Sequence, residues 1–294
     1  MKEEIIESLR SDCSNCFGLC CVGLYFSASE GFPADKKAGQ PCVNLETDFR
    51  CKIHDLLYGK GYKGCLSFDC FGAGQKVSKL TFKGQSWREH PTLANDMFDA
   101  LLIITHLHEL LWYLAEALHI ESISNLQGPI TQKIEEIVVL TNLELETLKK
   151  IDIMSTRAEV NSILLEVSEH VRTESFSNPY NQSKQEHKQH NKAVPSNRMS
   201  SNKIKPGADF IGADLRKYHL RGANLRGFML IAANLAGVDL AGADLIGVDM
   251  RDANLRGADL SRSIFLNQNQ INSAKGDKHT KISPLLLRPD YWEQ

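Results

Sequence analysis

All eight cysteines of the chain lie between Cys13 and Cys70, and the 224 residues that follow hold none. They run Cys13-x2-Cys16-x3-Cys20-Cys21, then Cys42-x8-Cys51, then Cys65-x4-Cys70. A C-x-x-C turn lets two thiolates reach one ion, and a bound metal lowers thiol pKa values far enough to ionise them. Eight thiolates are enough for two four-cysteine sites, holding zinc or an iron–sulfur cluster. A plain zinc ribbon carries C-x-x-C twice, and here it occurs once. Adjacent Cys20 and Cys21 point in different directions, so they either serve different sites or leave one thiol free. His54, three residues after Cys51, is a further candidate ligand. The first ten residues carry Glu3, Glu4 and Glu7 and are no secretory signal, so the expected compartment is the reducing cytoplasm. There, grouped thiols are metal ligands or redox groups rather than structural disulfides.

Other reactive residue types form weaker patterns. Thr105-His106-Leu107-His108-Glu109 places two histidines ~200° apart on a helix, so the rings cannot easily share a metal. The zinc-protease pattern would need a second histidine at Trp112. These two histidines therefore read as ordinary polar or capping residues. Gly72-Ala73-Gly74-Gln75-Lys76 lacks the spacing of a phosphate loop and reads as a flexible turn. His187 and His190 sit in a polar tract and read as part of a solvated tether. No Ser-His-Asp, Rossmann or paired-carboxylate signature stands out, so catalysis is neither assigned nor excluded.

The elements that must position the cysteines follow from pattern and composition. Among 294 residues, 34 Lys and Arg face 36 Asp and Glu, which rules out a global basic field for nucleic acid or membrane. The richest apolar stretch, 100–120, is broken by His106, His108, Glu109, Glu116 and His119, so no membrane span is expected. Residues 1–90 read as a cysteine-rich, loop-rich domain and 91–173 as a helical bundle segment. Apolar steps of three and four from Leu93 to Leu118 make one long helix after Pro91. A second helix follows Gly128-Pro129, and a short one includes Leu145 and Leu148. A last one starts at a capping box, Thr156-Arg157-Ala158-Glu159. Residues 174–205 read as a flexible linker with too little apolar surface to offset its ordering entropy.

Residues 206–270 carry a period of five. Apolar centres fall at Phe210, Leu215, Leu220, Leu225, Leu230, Leu235, Leu240, Leu245, Met250, Leu255, Leu260 and Phe265. Neither a helix nor a strand has that period, and short fixed repeats imply a solenoid of stacked coils. The motif Ala-Asp/Asn-Leu-x-x resembles the pentapeptide-repeat family. That resemblance implies a right-handed quadrilateral β-helix with four pentapeptides per turn, the central Leu or Phe and the small residue two before it facing inward. Tyr218 and Phe228 occupy the small position, and local bulging is expected there. Twelve repeats make three coils, about 15 Å tall. The tail, 271–294, is expected to cap the coil end through Leu285, Leu286, Leu287 and Trp292.

Two further resemblances concern function. Cys13-Ser14-Asn15-Cys16, Cys20-Cys21, Pro41-Cys42, Phe49-Arg50-Cys51 and Cys65-x4-Cys70 resemble a zinc- or iron-chelating domain family, implying metal ligation by Cys13, Cys16, Cys20, Cys21, Cys42, Cys51, Cys65 and Cys70. The whole architecture, ending in Gly276-Asp277 and Arg288-Pro289-Asp290-Tyr291-Trp292, resembles bacterial oxetanocin A resistance proteins, implying a nucleoside antibiotic as ligand or target. The expected fold class is therefore multidomain α+β, a metal-binding domain and a helical segment joined to the β-helix. The expected function is metal binding with antibiotic resistance or protection, the repeat surface meeting a protein partner. An iron–sulfur or zinc-dependent redox enzyme and a gyrase-protecting module are the alternatives. Direct nucleic-acid contact is not expected. Gyrase protection by an acidic DNA mimic is disfavoured, because residues 206–265 hold seven Asp and seven Lys or Arg, against a duplex charge every ~1.7 Å.

Overall fold

The predicted long helix forms, and the first unit is built around it. The computed structural model describes residues 2–177 and 209–293, and the chain divides into two compact units, Met1–Leu164 and Leu165–Gln294. In chain order the helices are α1 (Lys2–Ser8), α2 (Leu19–Gly23), α3 (Lys63–Ser67), α4 (Ala73–Lys76), α5 (Ala94–Leu118), α6 (Gln127–Leu140), α7 (Leu145–Leu148), α8 (Ile153–Ser177) and, after the repeats, α9 (Gln268–Ser273). Within the first unit α5 packs against α1, α2, α4, α6 and α7. Met97, Leu101, Ile104, Leu107, Leu111 and Leu114 are buried, and so are Trp112 and Tyr113 on the other flank. A helix apolar around most of its circumference belongs in a core. Pro91–Leu118 is in fact long and apolar enough to cross a membrane, unlike the sequence expectation, but most of that stretch is covered inside the unit. Because α2 and α4 lie against α5, the cysteine-rich segment and the helices share one core, and residue 90 marks no boundary between compact units.

The start of α8 differs from its prediction. Asp152, not Thr156, caps it, its carboxylate accepting the Ser155 amide at 3.0 Å. Thr156 lies one turn inside and donates its hydroxyl to the Asp152 carbonyl at 3.0 Å. An Asp one step before the apolar run satisfies the free amides first. The helix continues to Ser177, so residues 174–177 of the expected linker are helical, and its remainder, with His187 and His190, lies outside the described residues.

In the second unit the five-residue period becomes coils. Parallel bridges pair Asp214 with Asn234, Asn234 with Asn254, Asn224 with Asp244, and Asp244 with Ile264, always 20 residues apart. Four pentapeptides therefore make one coil. Leu225 to Phe265 at the central positions, and the small positions from Ala223 onward, are all buried. Each side turns on itself. At one corner the Ala243 amide reaches the Leu240 carbonyl at 2.9 Å, and Gly242 between them has φ +68°. That is the position of a type II turn where a Cβ is disfavoured. The Asp or Asn of each motif folds back on the same turn, as Asp239 does in accepting the Ala241 amide at 2.9 Å. With two of five residues in the turn, only one residue per side forms a β-bridge to the next coil, although turn amides such as that of Gly242 also reach it, at 2.8 Å from the Arg262 carbonyl. Isolated bridges therefore stand where strands were expected, and among the described residues no longer ladder forms. The α+β expectation is met only to this extent, and the first unit is helical.

Phe228 causes no bulge. It is fully buried, its ring stacks on Phe210 at 5.8 Å, and its carbonyl still accepts the Asp249 amide at 2.9 Å. Tyr218, with Phe210 edge-on at 6.4 Å, does sit at a bend. The aromatic pair fills one end of the coil interior. At the other end the tail breaks the register yet keeps pairing: Lys275 bridges Asn254 and Lys281 bridges Asp259, after the insertion of α9, itself capped by Asn267. Trp292 covers Gly276 and donates to the Ala274 carbonyl at 3.1 Å, and Leu286 is buried. Leu287, expected in the cap, is exposed.

One contact was absent from the sequence reading. The end of α8 lies on a face of the coils, with Arg172 Nε donating to the Gly222 carbonyl at 3.0 Å. A Cβ on Gly242 would stand 1.9 Å from Ser175 Oγ, whereas on Gly237, at φ +70°, it would meet nothing within 4 Å. Gly237→Ala and Gly242→Ala share the left-handed strain, about 1 kcal/mol. Gly242→Ala should lower the thermal midpoint of the second unit by several degrees more than Gly237→Ala. Equal losses in calorimetry would show that α8 is not seated there.

Candidate metal centre

Three short stretches deliver the first four sulfurs. Asp12 caps the 3-10 turn Cys13–Asn15, accepting the Ser14 amide at 2.9 Å. Gly18, at φ +65°, then turns the chain into α2, which carries Cys20 and Cys21. Gly72, at φ +75°, opens α4 just after Cys70. Cys13, Cys16, Cys20 and Cys70 line one cavity of about 20 Å³, backed by Gly74 and Leu101. A Cβ on Gly74 would lie 2.8 Å from Cys16 Sγ and 3.6 Å from Cys70 Sγ. Gly72–Lys76 is thus no flexible turn. It is the start of a helix, held by Gln75, whose side chain bonds the Arg10 carbonyl at 2.7 Å and the Asp12 amide at 3.1 Å. Its glycine makes room for sulfur.

Backbone amides point at these sulfurs. Those of Gly18 and Leu19 donate to Cys16, as does the Ser78 hydroxyl, and those of Gly72 and Gly74 donate to Cys70. Such bonds favour the thiolate. Burial works the other way and is the larger effect, raising the Cys16 and Cys70 thiols above their ordinary value. Without a cation these groups hold their protons; a metal would displace them.

The other four cysteines gather around a hairpin. The Cys42 amide donates to the Cys21 carbonyl at 3.0 Å, and Leu45 bridges Cys51 antiparallel. The Asn44 amide lies 3.5 Å from Cys42 Sγ, and the Ile53 amide donates to Cys51. Buried Asn44 reaches the Tyr62 hydroxyl at 2.9 Å, fixing the start of α3, which carries Cys65. Burial and the neighbouring sulfurs of Cys21, Cys42 and Cys51 push the Cys65 thiol up to about 12. Cys21 alone is shifted down, because the Cys20 thiol donates to it and the Lys36 ammonium is near. That ammonium, with three N–H donors, lies within hydrogen-bonding distance of four carbonyls, of Val22 at 3.1 Å, Leu24 at 2.6 Å, Lys37 at 3.1 Å and Gln40 at 2.9 Å.

All eight thiols are free. Among the described residues no three His, Cys, Asp or Glu side chains are grouped so as to hold an ion as they stand. The structure supplies shared surroundings for the sulfurs, not a formed coordination sphere. His54 joins neither group; it is exposed beside Asp55 at 3.4 Å. His106 faces Arg157 at 3.3 Å. His108 departs from its reading as an ordinary polar residue, since it is buried with Nδ1 2.6 Å from the Phe71 carbonyl.

Comparison with known proteins bears on both units. The family described as Pentapeptide repeats matches in eight copies, over residues 207–227 and 230–265. An uncharacterized protein of Bacillus subtilis (strain 168), YybG, is 47% identical over 293 residues, covering all of this chain and 98% of that one. A crystal structure of a pentapeptide repeat protein, Rfr23, from the cyanobacterium Cyanothece 51142 is 27% identical, covering 31% of this chain and 67% of that one, with a TM-score of 0.21.

Burial keeps the His108 ring neutral, lowering its pKa from 6.5 to about 4. The unfolded chain takes up that proton near 6.5 and the folded chain does not, so stability is complete above pH 6.5 and is lost as pH falls toward 4. Between pH 7 and 5 the loss from this group should be about 2 kcal/mol. Urea unfolding of the wild type and His108→Gln at both pH values measures it. The variant should lose less on acidification, and parallel losses would mean that His108 is charged in the fold.

Proposed function

The chain belongs to the pentapeptide-repeat family, and from that premise we propose that it is a thiolate metal-binding protein whose repeat unit offers a surface to a protein partner. The observation that carries the metal reading is the cavity shared by Cys13, Cys16, Cys20 and Cys70, with a glycine where any side chain would press on sulfur. Four sulfurs, two of them with amide donors, suit a soft or borderline cation. A void of about 20 Å³ has room for one water-sized body. A single tetrahedral zinc fits that space better than a cluster of several irons and sulfides. Bound there, zinc supplies charge neutralisation and a cross-link between residues 13–20 and 70, making folding of the loop-rich segment depend on metal. The chain's own residues hold the thiols in register: Asp12 and Gln75 fix the first turn, and Gly18 and Gly72 aim amides at Cys16 and Cys70.

For the repeat unit, the 20-residue step with a turn every five residues supports the right-handed quadrilateral β-helix of the family. Its charge pattern favours protein contact over DNA mimicry. Asp214, Asp239, Asp244, Asp249, Asp252 and Asp259 are each paired with an Arg or Lys, which leaves no acidic rod. Tolerance to a nucleoside antibiotic is the cellular role that the resemblance implies. Two of the residues that carry it, Asp277 and Arg288, are engaged in the tail: Arg288 donates to the Asp277 carbonyl at 2.7 Å, and Asp277 accepts the Gly257 amide at 3.0 Å. These bonds hold the cap together.

Cys13→Ser with Cys16→Ser should lose one metal ion per chain on elemental analysis after anaerobic purification. Proteolysis within residues 1–90 should rise while the repeat stays resistant. Unchanged metal content would overturn the assignment. In a sensitive bacterium the wild type should raise tolerance to a nucleoside antibiotic more than to a gyrase poison, and protection against the poison alone would favour the gyrase module.

A further inference from the structure

We propose that one side of the repeat unit, the side carrying Ile211, Met229 and Ile231, is a weak contact between two copies of this chain. This contact deepens the reading of the repeat as a surface for protein, on which it rests, by naming the partner and the side.

That side departs from the repeat pattern. On most sides the residue before the central one is Asp or Asn, and its side chain accepts the amide two residues on. Asp209 does so for Ile211 at 2.9 Å, Asp239 for Ala241 at 2.9 Å and Asp249 for Arg251 at 3.1 Å. Met229 stands at this position and has no oxygen to give, so the turn gains nothing from it. The other apolar residue so placed, Ile264, is buried, whereas Met229 is 42% exposed. The residue after the centre is Arg216, Arg226 and Arg256 on other sides, but Ile211 and Ile231 on this one. Ile211 is 51% exposed and Ile231 half-buried.

The register sets these residues side by side. Met229 bridges Asp209 in the coil before and Asp249 in the coil after, so one column reads Asp-Met-Asp. The Gly212 amide donates to the Ile231 carbonyl at 2.8 Å, and the Ala232 amide to the Arg251 carbonyl at 2.8 Å. The second column therefore reads Ile-Ile-Arg. Leu230 and Met250, between the columns, are buried in the coil. The two columns make one apolar patch across two coils, with charge along its edges. Single exposed apolar side chains are ordinary, but a contiguous patch with a polar rim marks a contact.

The charges select the occupant. Carboxylates at Asp209 and Asp249 disfavour nucleic acid or an anionic membrane. A second copy suits the two columns. When two such sides face each other about a two-fold axis parallel to the coil axis, each column meets the other column of its partner. Met229 then packs on the partner's Ile231, and Ile231 on the partner's Met229. Asp249 meets the partner's Arg251, and Arg251 the partner's Asp249. The Asp249–Arg251 pair, more than half open on the Arg side, makes that exchange at little cost. Asp209 lies on the outermost of these coils and is exposed, so its carboxylate keeps its water. Such a contact uses the same patch on both copies and closes at a dimer. Three coils stand about 15 Å tall, so one side falls well short of the ~800 Å² per partner of a standard interface. The dimer is therefore weak, forming at concentrations on the order of 100 µM.

Sedimentation equilibrium of the reduced full chain, from about 10 µM to about 1 mM, tests this. The wild type should show a monomer–dimer equilibrium and nothing larger. Met229→Asp and Ile231→Arg each install a residue type that the same position carries elsewhere in the coils, so both should fold. Met229→Asp should keep or raise the thermal midpoint, since its carboxylate can accept the Ile231 amide. Each variant should weaken dimerisation at least tenfold. Leu80→Ser, which removes an apolar side chain 64% exposed on the first unit, should leave it unchanged. Monomer at every concentration overturns the second copy as occupant, and only that, because a surface for a different protein does not need it. A dimer intact in all three variants overturns the patch. A dimer lost with Leu80→Ser and kept by both repeat variants places the contact on the first unit and counts against the wider reading as well.

Discussion

Buried sulfur that accepts backbone amides governs the cysteine-rich part of the first unit. From Leu9 to His90 the chain makes only short helical turns, so few of its backbone bonds come from regular structure. In their place the loops use the sulfurs as acceptors, at Cys16, Cys42, Cys51 and Cys70. A thiol is a weak acceptor and a thiolate a strong one, so these loops are tightest when the sulfurs are ionised. Burial opposes ionisation and raises most of the thiols. Bound as proposed, a divalent cation would resolve the conflict by supplying the opposite charge inside the fold. The buried face of α5 is the fixed wall against which this happens: Leu101 backs the first cavity, and α2 and α4 both pack on α5.

The repeat unit meets its polar groups in the opposite manner, by local repetition. Each pentapeptide closes its own turn, and its Asp or Asn satisfies the amide two residues on, at Ala241, Ile246 and Ser261 among others. The neighbouring coil adds the single bridge per side and a bond to the turn amide, as where Gly237 donates to the Arg256 carbonyl at 2.9 Å. Two non-glycine residues, Ala232 at φ +55° and Asp252 at φ +57°, take the left-handed conformation that Gly237 and Gly242 adopt at the same turn position. The stack tolerates them because the pairing on either side fixes the turn, with Ala232 donating to the Arg251 carbonyl at 2.8 Å and Asp252 to that of Ser273 at 2.9 Å.

What could be read from sequence followed the range of the interaction. The repeat register was legible to the residue, because a five-residue period is local and recurs. The face of α5 was legible for the same reason. Grouping the cysteines was not, since Cys70 joins Cys13 and Cys16 only through the packing of α4, and nothing in the spacing Cys65-x4-Cys70 says that its two members part. Gly74 carried a signal that could have been used: a second glycine inside a helical stretch costs stability and asks for a close neighbour, here two sulfurs. His108 and Phe228 were misread for a related reason. Each was judged by residue type, and each is decided by one partner, the Phe71 carbonyl and the Phe210 ring.

The docked end of α8 also determines which part of the repeat surface is left to meet a partner. Outward positions of the coils should be open, yet Asp244 is wholly buried and paired with Arg226 at 2.7 Å, itself only 15% exposed. Gly222, Ala241 and Gly242 are buried alongside it, under the helix that Arg172 anchors. Removing one member of such a pair costs about 3–5 kcal/mol, because the other charge stays buried without compensation. The pair therefore belongs to the structure of this face and is closed to solvent. Gly227, Gly237, Gly247 and Arg251 remain exposed at other corners. The Asp249–Arg251 pair, more than half open on the Arg side, can exchange partners at little cost, as surface ion pairs do. The exposed charges at those corners, unlike the Asp244–Arg226 pair, are free to rearrange.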